Sequence, residues 1–324
     1  MALIHCFCTL CIIFLLCFEQ ISAACKTVTV DKSGRGHFST IQSAINSVPS
    51  NNRNWHCINV KPGTYREMVV IPYDKPFIIL KGSGQKKTKV VWNEPYLQAP
   101  TFSSLADNII VKSIAFVNSY NGPNSKNARV PAVAALINGD KSFFFRCGFS
   151  SVQDTLWDAT GRHYFKRCHI EGAVDFIFGN GQSIYEDCSI RYLGEALPRG
   201  LAGFITAQGR NNPRVSSGFV FKSCHIYGKG STFLGRPWRD FSRVLFYNCR
   251  FSNVVNPRGW NAWNSVGEEK QLTFVEYKNY GPGAYKSKRV KWLKNLNART
   301  VAKLTSMSFI DNDGWLQSIP VKYF

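Results

Sequence analysis

The chain has 324 residues, of which 44% are hydrophobic and 14% aromatic, and it carries 40 Lys and Arg against 20 Asp and Glu. This composition can build a large hydrophobic core, so it excludes a chain too polar to fold. The formal charge of +20 favours a polyanionic partner.

The first 24 residues have the features of a secretion signal. "CFCTLCIIFLLCF" has the length of a signal-peptide core, and "ISAA" supplies small residues for cleavage near Ala24. A membrane anchor is the alternative, but the run is short for a bilayer span. We therefore predict a signal peptide over 1–24 and one domain over 25–324, since no linker or low-complexity segment divides the remainder. Secretion makes an acidic polysaccharide a better partner than nucleic acid.

A helix is predicted near the start of this domain, and repeated strands follow it. "FSTIQSAINSVP" places Ile41, Ala44 and Ile45 on one helical stripe that could cap the fold. Further along, five segments share an apolar-polar-Cys-polar-apolar pattern: "FFFRCGF", "YFKRCHI", "IYEDCSI", "FVFKSCHI" and "LFYNCRF". Their spacing of about 20 to 25 residues, with one longer interval, predicts stacked coils of an all-β parallel β-helix. An antiparallel sandwich is the alternative.

Seven cysteines remain after signal removal, so at least one thiol is expected to be free. The Cys-His pairs resemble zinc ligands, but adjacent residues on a strand point to opposite faces and cannot bind one ion. We therefore predict no metal site. Neighbouring coils lie about 4.8 Å apart, a separation that a disulfide tolerates, and Cys168 and Cys188 form one plausible bridge.

Two aspartates stand in uncharged surroundings, Asp154 in "SVQDTLW" and Asp175 in "GAVDFIFGN". They are 21 residues apart, as are Cys147 and Cys168, so both would occupy equivalent positions on successive coils. Two close carboxyls in a poorly solvated groove have separated pKa values, which suits one to act as an acid and the other as a base or nucleophile. A single Asp more often caps a turn, but two in register beside Gln153 favour catalysis. No G-x-S-x-G, H-E-x-x-H or P-loop motif is present.

At this level of detail the sequence resembles plant pectinesterases. The motifs that carry the likeness are "GTYRE", "QDTL", "GAVDFIFGN", "FITAQGR", "LGRPW" and "YKNYGPGA". The resemblance implies a single-stranded right-handed parallel β-helix, without the inhibitor-like pro-region that many plant members carry. It implies a secreted cell-wall monomer that hydrolyses methyl esters of homogalacturonan without a cofactor. A proteinaceous inhibitor is a further candidate partner, and no nucleic acid or membrane partner is implied.

The resemblance also assigns roles to individual residues. It implies that Asp175 is the nucleophile, that Asp154 is the general acid and then the base, and that Arg236 holds Asp175. Gln153 would donate to the oxyanion, and Trp238 would bind the sugar chain together with Arg236. Further substrate contacts are expected at Thr101, Phe102, Trp157, Phe178, Phe233 and Trp263.

One position departs from the family pattern. The family usually has Gln-Ala-Val-Ala-Leu where this chain reads "PAVAAL", so Pro131 replaces a Gln that supplies an oxyanion donor. Losing one such donor costs about 10²–10³ in rate. Three hypotheses follow: an active esterase of reduced rate, a pectin-binding protein without catalysis, and a β-helical polysaccharide hydrolase or lyase. The catalytic motifs favour the first.

Overall fold

The computed structural model describes residues 25–122, 125 and 127–320, so the predicted signal peptide lies outside the described residues. The chain winds through up to three strands per coil. Each strand pairs in parallel with its equivalent one coil later, and three sheets result. This arrangement is a right-handed parallel β-helix, as predicted.

The first sheet contains the longest series of strands, namely β1 (Lys26–Val30), β2 (His56–Val60), β5 (Ile78–Lys81), β8 (Ile109–Lys112), β11 (Ser142–Phe145), β14 (Arg162–Lys166), β17 (Gln182–Glu186), β20 (Gly218–Lys222), β23 (Arg243–Tyr247) and β25 (Thr273–Tyr277). The second sheet contains β3 (Gly63–Tyr65), β6 (Thr88–Trp92), β9 (Ala115–Asn118), β12 (Gly148–Ser150), β15 (His169–Gly172), β18 (Ser189–Leu193), β21 (His225–Lys229) and β24 (Arg250–Phe251). The third contains β4 (Val69–Ile71), β7 (Phe102–Ser104), β10 (Ala135–Ile137), β13 (Leu156–Asp158), β16 (Ile177–Gly179), β19 (Gly203–Gln208) and β22 (Thr232–Pro237).

The repeated cysteine pattern marks the corner between the first and second sheets. The residue before each repeat cysteine has a left-handed backbone, with φ between 52° and 54° at Arg146, Arg167, Asp187, Ser223 and Asn248. One left-handed residue reverses the chain direction within two positions. The following cysteine then points inward and is buried in every repeat.

Stacked aromatic rings fill the interior of the coils. Phe144, Phe165, Tyr185, Phe221 and Phe246 occupy equivalent positions, and successive ring centroids lie 5.0, 4.7, 4.6 and 4.4 Å apart. Each ring covers its neighbour, so the stack removes large apolar surfaces from water across five coils. This continuous core explains why each repeat carries an aromatic residue shortly before its cysteine.

Helices cover one end and one outer face of the β-helix. The predicted cap is α1 (Ile41–Asn46), which begins at Thr40 and buries Ile41, Ala44 and Ile45. Near the C-terminus, α2 (Ala298–Thr305) and α3 (Trp315–Ser318) pack on the outer face of the first sheet. Short 3-10 turns lie at Gly194–Ala196, Trp263–Ser265, Glu269–Gln271, Pro282–Ala284 and Met307–Phe309. None of the helices within the described ranges is long and apolar enough to cross a membrane.

The predicted disulfide between Cys168 and Cys188 is wrong. Both thiols are free and buried, and each donates a hydrogen bond to a carbonyl of the preceding coil, at Phe144 and Phe165, both over 3.4 Å. Equivalent residues of parallel strands point in the same direction, so their sulfurs lie side by side instead of facing each other. Among the described residues one disulfide is present, and it joins Cys25 to Cys57 at the first strand pair.

Candidate active site

Asp154 and Asp175 lie at equivalent positions on adjacent coils. Gln153 and Val174 form a parallel bridge, and the Asp154 N–H donates to the Val174 carbonyl over 3.0 Å. Both aspartates have left-handed backbones, with φ of 59° and 47°, a conformation that Asp adopts more readily than most residues. The chain therefore turns at both positions just before it enters the third sheet, and this turn brings the two carboxyls together.

Arg236 holds the second carboxyl from two coils further along. Its Nε donates to Asp175 Oδ1 over 2.8 Å, and its Nη2 donates to Oδ2. This two-point pairing fixes the plane of the carboxylate and compensates its charge. Asp175 needs such a partner because only 8% of the residue's surface is exposed.

The surroundings give the two carboxyls different properties. Burial, followed by the neighbouring Asp175 charge, raises the pKa of Asp154 to about 7, although Arg236 opposes the shift. Burial also raises the pKa of Asp175, but hydrogen bonds and charge from Arg236 counteract it. Asp154 makes no ion pair within the described part of the chain, so it is the carboxyl that holds a proton near neutral pH. The pair thus offers one proton donor beside one oriented carboxylate.

Two aromatic rings enclose the Arg236 guanidinium. Its carbon lies 4.1 Å from the Phe204 ring centre and 3.8 Å from that of Trp263. Rings on both sides restrict the guanidinium to one plane and favour its charge. The sequence interpretation included Trp263 but missed Phe204. Phe204 could have been identified from its place in the motif "FITAQGR". It lies on the coil between the coil of Asp175 and the coil of Phe233.

A second aromatic group lies beside the carboxyls on the third sheet. Trp157 and Phe178 stack with centroids 5.5 Å apart, and Phe178 meets Trp238 edge-on at 5.9 Å. Trp238 is 36% exposed and Trp263 is 37% exposed, whereas Phe178 is almost fully covered. The exposed tryptophans can contact a ligand, and Phe178 supports Trp238.

Three other expected groove residues do not reach the surface. Phe102 is fully buried and stacks on Phe116 at 4.3 Å in the interior of the coils, so its assignment to the groove is wrong. Thr101 is also fully buried, and its hydroxyl donates to the Val117 carbonyl, so it cannot touch a substrate in this conformation. Phe233 is 8% exposed and stacks on Phe204, which makes it a support for the Arg236 enclosure.

Gln153 and Pro131 lie on neighbouring coils beside the aspartates. Gln153 is partly exposed, and within the described ranges its side-chain amide forms no hydrogen bond. It is therefore free to donate to a bound group. The Pro131 carbonyl accepts a hydrogen bond from the Tyr96 N–H, and the next residue, Ala132, donates to the Gln153 carbonyl. Pro131 itself offers no N–H.

The fold and the site together define a class: a parallel β-helix with two stacked carboxyls, one a proton donor and the other an oriented carboxylate, beside a group of aromatic rings. No cluster of three or more metal-binding side chains occurs in residues 25–122, 125 and 127–320.

Comparisons with known proteins agree with this class. A sequence model of the Pectinesterase family matches residues 27–313. The chain is 55% identical over 320 residues to probable pectinesterase 29 of Arabidopsis thaliana, covering 97% of this chain and 96% of that protein. It is 52% identical over 317 residues to probable pectinesterase 55 of the same plant, covering 95% and 96%. The structure of pectin methylesterase from carrot superposes with a TM-score of 0.83 at 30% identity, covering 92% and 97%. The chain belongs to the pectinesterase family and is an enzyme of pectin de-esterification.

Proposed function

We propose that Asp175 and Asp154 divide the reaction on methyl-esterified homogalacturonan into two steps. In the first, an Asp175 oxygen attacks the ester carbonyl carbon, and the methoxy group leaves as methanol with the proton from Asp154. The product is an acyl-enzyme linked through Asp175. In the second step, Asp154 takes a proton from water, which attacks the acyl carbon and releases a galacturonate carboxylate and free Asp175.

The remaining polar residues support these steps. Arg236 keeps Asp175 ionised and aimed, since its guanidinium grips both carboxylate oxygens and is itself held between Phe204 and Trp263. Gln153 donates to the oxygen that becomes negatively charged during attack, because its amide has no other partner among the described residues. Trp238 and Trp263 bind sugar rings through their exposed faces.

The wider setting belongs to the same proposal. Plant pectinesterases act in the cell wall, and secretion through residues 1–24 would deliver this chain there as a monomer. A proteinaceous inhibitor would act by covering the groove. The net charge suits an acidic polysaccharide matrix.

The observation that carries the proposal is the pairing of Asp175 with Arg236 beside an Asp154 that has no ion-pair partner in the described residues. The test is methanol release from methylated pectin by the purified protein. We expect Asp175→Asn to abolish release while circular dichroism stays unchanged, because an amide is neither nucleophile nor base. Normal turnover by that variant would refute the assignment. Viscosity measured in parallel separates an esterase from a hydrolase or lyase, which would shorten the chain.

A second candidate function is pectin binding with little turnover, and Pro131 is the observation that favours it. The N–H groups of Ala132 and Tyr96 already donate to main-chain carbonyls, so neither of them replaces the missing Gln side chain. Binding of oligogalacturonate without methanol release would support this alternative.

A further inference from the structure

A cavity of about 470 Å³ lies between the first sheet and the C-terminal segment, on a different face from the aspartates. Residues from β17, β23 and β25 form one wall, the loop 213–216 forms a second, and α2 with the residues after it forms the third. Its volume lies within the range of small-molecule sites. The proposed reaction uses none of the residues that line it.

One column of the first sheet creates this cavity. Gln182, Gly218, Arg243 and Thr273 are successive partners at the start of β17, β20, β23 and β25. Gly218 has no side chain, and an added Cβ would lie 2.8 Å from Arg243 Cδ. The Arg243 side chain therefore lies across Gly218, where a larger residue would displace it.

The same column contains an arginine with acidic partners and one without. Arg162 pairs with Gln182 in the sheet, and its guanidinium contacts Asp140 at 2.6 Å and Asp313 at 2.8 Å. Arg243 is also half-buried, yet within the described residues it forms no ion pair. Its Nη1 donates to the carbonyls of Ser216 and Ser217 at 3.2 and 3.4 Å, whereas its Nε and Nη2 have no hydrogen-bond partner in the described structure.

The neighbouring charges add to this positive field. Arg214 and Lys303 line the cavity, Arg210 is buried behind the loop, and no acidic residue is among the described lining residues. Burial and then the Arg210 charge lower the pKa of Arg243 to about 10, as expected for a cation without a counter-ion. A half-buried cation of this kind gains from a bound anion.

Besides these cations, the lining has an apolar half to which Leu296, Leu304 and Phe309 contribute, with Thr300, Ser308 and Asn312 as polar neighbours. A carboxylated sugar matches both halves, since it carries one anionic group and an apolar ring face. We propose that this cavity binds a uronate unit of de-esterified pectin, which rests on the proposed function because that reaction produces free galacturonate carboxylates. The cavity would hold a de-esterified part of the polysaccharide while the aspartates beside the third sheet act on another part that is still methyl-esterified.

The test is hydrogen exchange of the whole protein, read in segments 211–217 and 298–309, with increasing trigalacturonate. We expect saturable protection in both segments. The fully methyl-esterified trisaccharide, tested with the Asp175→Asn variant so that it is not hydrolysed, should protect neither. Arg243→Gln should weaken this binding by about tenfold or more, because a charge-assisted hydrogen bond is lost. Lys303→Gln should weaken it as well, and it leaves the contacts from Arg243 to the loop intact, so loop loosening cannot explain both results. Arg250→Gln is the matched control, since it removes one exposed charge from outside the cavity and should change nothing.

Three outcomes would overturn the inference: no protection of 211–217, protection in both cavity variants equal to that in the wild-type protein, or protection by inorganic sulfate equal to that by trigalacturonate at the same concentration. The last would show an anion site without preference for a sugar. Groove binding is read separately, from segments 153–178. A protein that releases no methanol but still protects 211–217 would refute the proposed function and leave the cavity assignment standing, and the reverse result would refute only the cavity.

Discussion

Asp154→Asn should stabilise the protein at alkaline pH while it removes activity. A carboxyl whose pKa is higher in the folded protein than in the unfolded chain stabilises the fold when protonated, and this contribution is lost as the pH rises through the folded pKa. The pKa of Asp154 is raised from 3.8 to about 7 in the folded protein, so its stabilising contribution disappears between about pH 4 and pH 7. Asparagine resembles the protonated form at every pH and avoids that loss.

The size of the effect follows from the same shift. About three pKa units correspond to roughly 4 kcal/mol at 1.36 kcal/mol per unit. Asp154 is partly exposed, so solvent screening reduces this value, and we expect about 1–2 kcal/mol. In a domain of this size that difference raises Tm by a few degrees.

The assay is calorimetric Tm of wild type and Asp154→Asn at about pH 4 and about pH 8, with methanol release measured on the same samples. The variant should melt higher than wild type at the alkaline pH only. Asp313→Asn is the control of opposite sign, because hydrogen bonds from Arg162 and Lys141 lower the pKa of Asp313 and its carboxylate is stabilising when ionised. If the Tm of Asp154→Asn differed from that of wild type by the same amount at both pH values, Asp154 would not be held protonated by the fold, and the reasoning would be refuted.

Three further predictions concern the groove. Arg236→Lys should reduce kcat by about 10- to 100-fold, because lysine keeps the charge but loses the second hydrogen bond to Asp175 and the contact with two rings; a turnover within twofold of wild type in the methanol assay would contradict this. Trp238→Ala should raise the Kd for hexagalacturonate severalfold and change the melting temperature little, since Trp238 lies at the surface and is 36% exposed; calorimetric titration measures the Kd, and unchanged affinity would remove Trp238 from the binding surface. Pro131→Gln should raise kcat, by up to about 10²–10³ if the new amide reaches the oxyanion; an unchanged or lower kcat would count against a missing donor.

The fold and the carboxyl pair could be predicted because both depend on spacing alone. In a parallel β-helix, residues one coil apart are neighbours. Asp154 and Asp175 are separated by 21 residues, the same interval as Cys147 and Cys168, so they lie side by side on successive coils. The same rule located the cysteine column. Spacing does not, however, show how a column of thiols is bonded, and this is why the bridge between Cys168 and Cys188 was wrong.

The lining of the groove was harder to predict because the strands of the third sheet are short. Phe102 begins a strand of three residues, and so brief a stretch has no clear alternation to show which side chain faces inward. Phe204 was missed for a related reason, since its role depends on Arg236 reaching back across a coil. Long side chains that bridge coils leave no periodic trace in the sequence.

The environment of Pro131 gives the Pro131→Gln prediction its physical basis. Near Pro131, the Ala132 N–H donates to the Gln153 carbonyl and the Tyr96 N–H donates to the Pro131 carbonyl, so neither of these two groups is free to replace the missing donor. Gln153, which precedes Asp154 in the chain, is then one side-chain donor where the family pattern has two, and a single donor gives weaker transition-state stabilisation than two. A new glutamine should therefore change kcat more than KM, because the extra bond forms with charge that develops only during attack. A rise in affinity without a rise in kcat would instead place the new side chain on the sugar. Comparing both constants on one methylated substrate decides between these roles.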